Sequence, residues 1–232
     1  MAETIHAAAI VVAAGNGERA GGIDKVLQPL GGRKVIERAV APFLSDPRIT
    51  QVVIVAPAGR EAEYLEAAFP NGAPASPRVT AISGGERRQD SVAAGLAALR
   101  DEITIVAVHD AARPLHSPEV LTLLLDTAIA KGAAVPCVPI PDTVVPVDAT
   151  TASVSGVLDR RLLRLVQTPQ VFRRDWLVAA HAKARDESIE ATDDATLVLA
   201  LRHPVSFVPG LADNIKITTA MDFRVAEALL ES

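Results

Sequence analysis

The stretch Ala7–Lys25, AAAIVVAAGNGERAGGIDK, decides how the rest of the chain is read. Residues 7–14 are continuously apolar around Ile10, Val11 and Val12, the pattern of a strand covered on both faces in a parallel sheet. Gly15, Gly17, Gly21 and Gly22 follow, a density of glycine that lets main-chain N–H groups converge on phosphate oxygens, and Arg19 and Lys25 add positive charge beside them. The letters Gly15-x-Gly17-x-x-Ala20 also satisfy the dinucleotide fingerprint. That motif needs a helix starting at the glycines and an acidic residue ending the second strand, about 20 residues on. Here Gly21, Gly22, Pro29, Gly31 and Gly32 keep the chain irregular, and the next strand, Val52–Val55, runs into Ala56-Pro57. A Walker loop fails as well, because Asp24 precedes Lys25 and Val26 follows it.

Composition narrows the function classes. The chain has 232 residues, and 49% of them are hydrophobic, enough for a sizeable core. Only 3% are aromatic, so that core is built from Ala, Val, Leu and Ile. A formal charge of −5 argues against a nucleic-acid or membrane-surface binder, which carries a basic excess, so any anion is bound by local cations. No apolar run is long enough to span a bilayer and the N-terminal segment has no charged signal-like region, which predicts a cytoplasmic protein. Cys137 is the sole cysteine; it excludes an internal disulfide and reads as a small buried residue.

Beyond the first strand the chain alternates strand-like and helix-like segments, which predicts an α/β fold with a mostly parallel sheet flanked by helices. Helical spacing covers Val35–Leu44, Arg60–Phe69 and a segment near Pro118–Ala130; Ser91 reads as the cap of a helix through Val92, Leu96 and Leu99. Strands are predicted at Val52–Val55, Val79–Ile82, Ile103–Val108 and Ala133–Val138. The alternation breaks from Pro139 to about Leu165, where β-prone pieces at Thr143–Val147 and Ser153–Leu158 sit among Pro141, Pro146, Asp148 and Gly156. This reads as a protruding β-arm over 139–165 on a single domain spanning 1–232, and an arm of this kind suits a subunit contact. Helices near Trp176–Ala184 and Asp193–Leu201, a strand at Val205–Val208 and a last helix from Ala220 follow, with capping-box spacing between Thr219 and Asp222.

Ligands of open parallel sheets bind beyond the carboxyl ends of the strands, and the polar motifs fall there. The third strand runs into Gly84-Gly85-Glu86-Arg87-Arg88-Gln89-Asp90-Ser91, and the fourth into His109-Asp110-Ala111-Ala112-Arg113-Pro114. Asp110, at a strand end beside phosphate-binding cations, is a natural Mg2+ ligand, since that ion is held by one or two carboxylates plus substrate phosphates. Asp213-Asn214-Ile215-Lys216 supplies a second candidate ligand, Asp213, and another cation, Lys216. Alternation points His109 away from Asp110, so it reads as a hydrogen-bonded structural residue.

The glycine loop with Arg19 and Lys25, Gly84-Gly85-x-x-Arg88-x-x-Ser91-Val92, His109–Pro114, Thr168-Pro169-Gln170, Thr192-Asp193-Asp194 and Ala212–Lys216 together resemble, in order and over nearly the whole chain, the 2-C-methyl-D-erythritol 4-phosphate cytidylyltransferases of the non-mevalonate isoprenoid pathway. Asp24 departs from the family, where a proline usually precedes the lysine; the loop looks slightly shorter than in some members, and Arg87 stands where an acid is often found. The resemblance implies a Rossmann-like nucleotidyltransferase fold and transfer of CMP from CTP to a polyol phosphate, with release of pyrophosphate. It implies that Arg19 and Lys25 stabilise transition-state charge, that Lys216 and Arg160 position methylerythritol phosphate, and that Asp110 and Asp213 hold Mg2+. It further implies that Ala13, Ala14, Gly15 and Gly85, with the Ser91 hydroxyl and Arg88, contact the nucleotide, while Arg113, Thr143, Thr168 and Thr192 complete the polyol phosphate pocket. A homodimer is implied through the arm, with Thr143 and Arg160 reaching the neighbour's site. Two rivals are a cytidylyltransferase for another polyol phosphate, such as ribitol 5-phosphate, and a non-catalytic nucleotide-binding regulator. The chain as read leaves no span for a fused downstream enzyme domain.

Overall fold

The structure, a computed structural model, describes residues 5–15, 24–75 and 77–231. Strand β1 (Ala7–Val12) is central and pairs in parallel with β4 (Ile49–Ala56) on one side and β6 (Ile105–Asp110) on the other; β4 pairs in parallel with β5 (Arg78–Ser83). Between β1 and β4 lie a small hairpin, β2 (Pro29–Leu30) with β3 (Arg33–Lys34), and helix α1 (Val35–Ser45). Helices α2 (Glu61–Ala68), α3 (Arg88–Ala97) and α4 (Pro118–Lys131) connect the later strands.

Successive residues of β1 feed two different layers, as a pleat with both faces covered requires. Ala7, Ala9 and Val11 pack with Val35, Val40 and Phe43 of α1, Tyr64 of α2 and Leu121, Leu124 and Leu125 of α4. Ala8 and Ile10 pack on the opposite face with Val92 and Leu96 of α3. Gly95 lets α3 approach this closely, since a Cβ there would stand 2.6 Å from Ile10 Cγ2.

The far half of the sheet differs from the purely alternating expectation. Strand β7 (Ala133–Pro139) runs beside β12 (Ser206–Pro209) in parallel, but β6 and β7 are separated by an antiparallel strand, β11 (Gln170–Arg173), whose N-terminal extension β10 (Arg164–Val166) continues along β7. The sheet is therefore mixed and mostly parallel. The β-prone pieces of the arm do pair, as β8 (Val147–Asp148) with β9 (Ser153–Val154) and through a bridge between Val144 and Leu158.

Helices α5 (Arg174–Asp186) and α6 (Asp194–Ala200) cover the α3 face, through Leu177, Ala180, Leu197 and Val198. The last helix, α7 (Ala220–Glu231), carries the reciprocal cap expected from its sequence: Asp222 accepts from Thr219 N at 2.7 Å, and Asp222 N donates to Thr219 Oγ1 at 3.3 Å. Helix α3 starts at Arg88, not after Ser91, because Asp90 accepts from Arg87 N at 3.2 Å and so closes the first turn earlier. Among the described residues, no helix is long and apolar enough to cross a membrane.

Candidate active site

The carboxyl ends of β1, β5 and β6 open into a cleft of about 380 Å3. The β1 end contributes Ala13, Ala14 and Gly15, with Ala13 N bonded to Val55 O so that the chain leaves the sheet in a fixed direction. The loop after β5 contributes Gly85, Glu86 and Arg87, then Arg88 and Ser91 from the first turn of α3. Glycine is required at the first position of this loop: a Cβ on Gly84 would lie 2.5 Å from Ala14 Cβ and 2.8 Å from Ser91 Oγ. The buried Ser91 hydroxyl accepts from Gly85 N at 3.2 Å and lies 3.2 Å from Arg87 O, so it fixes the loop from inside.

The cleft floor is a chain of charges. Asp110 Oδ2 accepts from Lys216 Nζ at 2.7 Å and Oδ1 from Arg88 Nε at 3.0 Å. The other side of the Arg88 guanidinium donates to Asp194 Oδ2 at 2.8 Å, and Asp194 Oδ1 meets His181 Nε2 at 2.9 Å. Burial alone would raise the Asp110 carboxyl, but Arg88 and Lys216 override it and hold the group well below the usual carboxylate range. Asp194 follows the same logic: burial pushes up, while Arg88 and His181 pull it below its ordinary value. A buried ion network of this kind is costly to desolvate and adds little net stability, but it fixes geometry. Lys216 is the more exposed member, its side chain 41% exposed against 12% for Asp110.

A neutral network holds this floor from below. Asp110 N donates to Thr168 Oγ1 at 3.1 Å, and that hydroxyl donates to His109 Nδ1 at 3.0 Å. The far nitrogen, Nε2, then carries the proton and donates to Arg113 O at 3.0 Å. Burial and the neighbouring His116 push His109 well below its ordinary value, which keeps this tautomer neutral. His109 is thus the structural histidine that alternation predicted. On the opposite wall, Arg113 NH1 donates to Asn214 O at 2.8 Å and Ile217 N to Ala112 O at 2.8 Å, so the Asp213–Lys216 segment is laced to the β6 end.

Of the residues singled out in sequence, Ala13, Ala14, Gly15, Lys25, Gly85, Arg88, Ser91, Asp110 and Lys216 converge on the cleft. Arg19 lies outside the described residues. Thr168 is placed beneath the cleft, its hydroxyl engaged by Asp110 N and His109, and Arg113 sits behind the wall holding Asn214. Thr192 and Asp213 are exposed and do not line the cleft; the buried neighbour of Asp213, Asn214, points inward and donates to Thr168 O at 2.9 Å. Thr143 and Arg160 are exposed on the arm, with the Arg160 guanidinium bonded to Pro141 O. Asp24, Glu86 and Arg87 line the cleft and Asp194 and His181 support it, all without an assigned role in the sequence reading. The buried pair of Asp194 with His181 is a long-range contact that no spacing rule exposes.

A mostly parallel α/β sheet whose strand-end loops gather main-chain groups, two lysines and a half-buried arginine around one cleft is the architecture of a nucleotidyltransferase. The sequence model of one family, IspD, 2-C-methyl-D-erythritol 4-phosphate cytidylyltransferase, matches residues 7–232, and the chain belongs to that family. The enzyme of that name from Frankia casuarinae is 44% identical over 229 residues, covering 96% of this chain and 80% of the relative; that from Pelotomaculum thermopropionicum is 41% identical, covering 97% and 94%. Among solved structures, 2-C-methyl-D-erythritol 4-phosphate cytidylyltransferase from Thermus thermophilus superposes with a TM-score of 0.77 at 35% identity, covering 96% of this chain and 98% of the other. The 4-diphosphocytidyl-2C-methyl-D-erythritol synthase from Anaerococcus prevotii superposes with a TM-score of 0.86 at 26% identity, covering 99% and 100%.

Proposed function

We infer that the protein transfers CMP from CTP to 2-C-methyl-D-erythritol 4-phosphate, releasing pyrophosphate and forming 4-diphosphocytidyl-2-C-methyl-D-erythritol. The observation that carries this reading is the convergence of Lys25, Arg88, Asp110 and Lys216 on one strand-end cleft in a chain of this family. In the reaction an oxygen of the substrate phosphate bonds to the α-phosphorus of CTP as the bond to the bridging β-phosphate oxygen breaks. Positioning and charge neutralisation therefore dominate the chemistry. Lys25 and Arg19 are assigned to the triphosphate, and Lys216, bonded to Asp110 at the cleft floor, to the incoming phosphate. The Ser91-braced Gly84–Gly85 loop and the Ala13–Gly15 main chain are assigned to cytosine.

The residues fit a magnesium ion of the kind that phosphates help to hold. Asp110 is a single carboxylate kept ionised at the cleft floor, and one or two carboxylates plus substrate phosphates suffice for that ion. Asp213 is exposed outside the cleft lining, and among the described residues no three His, Cys, Asp or Glu side chains cluster, so Asp110 is the protein ligand assigned here. When bound, the ion would neutralise charge developing on the phosphates.

The arm is assigned to a homodimer contact. Val147, Val154, Val157 and Leu162 on it are 62–84% exposed, an apolar surface on a polar, proline-interrupted excursion. Arg160 and Thr143 then act in the neighbour's cleft.

Pyrophosphate release from CTP, measured with 2-C-methyl-D-erythritol 4-phosphate and with ribitol 5-phosphate, tests the reading. Faster turnover with ribitol 5-phosphate would reassign the acceptor, and no release with either would reject an enzymatic role.

A further inference from the structure

Lys25 stands between two anchors. On its C-terminal side Val26 is buried in the core. On its N-terminal side Asp24 is held twice. Its carbonyl accepts from Leu27 N at 3.2 Å, closing a single 3₁₀ turn over Lys25–Leu27. Its carboxylate Oδ2 accepts from Arg60 NH1 at 2.7 Å and from the Tyr64 hydroxyl, at the start and within the first turns of α2. Tyr64 is wholly buried apart from this bond, and the Arg60 guanidinium also lies over its ring, 5.2 Å from the centroid. Burial and the Asp24 charge both push the Tyr64 phenol above its ordinary value, so it stays a donor.

Asp24 also lines the cleft, where an unneutralised carboxylate would repel a triphosphate. We propose that Asp24, clamped by Arg60 and Tyr64, is a positioning residue of the nucleotide cleft: the clamp fixes the main chain carrying Lys25 and neutralises a carboxylate that would otherwise face the polyphosphate. This rests on the cytidylyltransferase reading and adds residues to it that no motif marks. Arg60 immediately precedes α2 and Tyr64 lies within it, on a helix that otherwise covers the sheet, and Arg60 is shared with Glu63, at 2.7 Å from Nε.

The test is CTP affinity, measured by equilibrium dialysis with Mg2+, alongside steady-state kinetics on the full chain. Arg60→Ala removes the neutralising cation and leaves Asp24, so CTP binding weakens about fivefold or more, the scale of one unscreened like charge near a polyanion. Adding Asp24→Asn to that variant restores affinity to within about twofold, because the repelling charge is gone; such non-additivity marks direct coupling. Asp24→Asn alone, which keeps the side chain's shape, binds CTP at least as tightly as the parent. Tyr64→Phe, which leaves the charges intact and removes one restraint, lowers kcat several-fold with the acceptor KM unchanged. Unchanged CTP affinity in Arg60→Ala, no recovery in the double variant, or weaker binding by Asp24→Asn would each overturn the clamp. Absence of CTP binding by the parent chain would instead overturn the cytidylyltransferase reading.

Discussion

In the transfer proposed above, Lys25, which lines the cleft together with Lys216, carries the charge the chemistry needs most. Lys25→Ala is expected to lower kcat by on the order of 10²-fold, by analogy with loss of one preorganised electrostatic stabiliser, with the CTP KM changing far less. Steady-state kinetics decide it; a raised KM with kcat near the parent value would move Lys25 from catalysis to binding. Lys25, Asp110, Ser91 and Lys216 were legible because each follows a predicted strand or stands in a motif at a strand end. Thr168 and Arg113 bond to groups beside the cleft without lining it: their partners, His109, Asp110 and Asn214, come from other elements, and only the fold shows the hydroxyl and guanidinium already engaged. Asp194 was legible as part of a motif and silent about its partner, because Arg88 is 106 residues away in sequence.

At the scale of elements, local rules worked wherever the signal was local. The cap of α7 is an example: Thr219 and Asp222 are three apart, and Asp222 accepts from Thr218 N, Thr218 Oγ1 and Thr219 N, each at 2.7 Å. Asp222→Ala should therefore cost about 1–2 kcal/mol, the range for a lost N-terminal cap, and lower Tm by about 2–4 °C per kcal/mol in a chain of this size. Thermal denaturation followed by circular dichroism checks it, and an unchanged Tm would show that α7 is held by packing alone. The strand pair β10 and β11 escaped the sequence reading because RLVQTPQVFR breaks its apolar run with Gln167, Thr168 and Pro169, and because pairing on both sides is a property of β6 and β7, not of the segment itself. The start of α3 was misplaced for a related reason. Two polar residues, Asp90 and Ser91, compete for the capping role, and the longer reach of Asp90 to Arg87 wins.

For the molecule as a whole, two buried imidazoles set the response to acid. His116, donating to Ala39 O at 2.9 Å, is pushed down to about 4 by burial, and His109, 4.1 Å away centroid to centroid, is lowered by burial and by His116. A base whose folded pKa lies below its unfolded value takes up protons preferentially when unfolded, so stability is intact above about 6.5 and is lost as pH falls from there toward the folded value. Between pH 7 and pH 5 His116 should remove on the order of 2 kcal/mol, with His109 acting in the same direction, before the depressed carboxyls of Asp110 and Asp194 begin to titrate at lower pH. Urea midpoints at the two pH values measure this, and equal midpoints would contradict it. The homodimer proposed above makes a separate prediction. Lys25→Ala and Arg160→Ala homodimers should both be nearly inactive, and an equal mixture refolded together should recover roughly one quarter of parent activity, since half the dimers are mixed and each mixed dimer regains one complete site. No recovery, with mixed dimers verified by mass, would place Arg160 in its own chain's cleft.

The arm leaves the sheet at the end of β7 and re-enters it at β10, and those two strands are direct neighbours, with Pro139 opposite Arg164, Val138 opposite Leu165 and Cys137 opposite Val166. Exit and return are thus one strand spacing apart, which makes the arm a splice-in: it can be cut out and the stumps rejoined by a tight hairpin turn without asking any sheet strand to move. A chain in which residues 141–162 are replaced by Asn-Gly is expected to fold with the parent's circular dichroism and to bind CTP. On the homodimer proposed above, it should run as a monomer in analytical ultracentrifugation and turn over no acceptor, because Thr143 and Arg160 go with the excised arm.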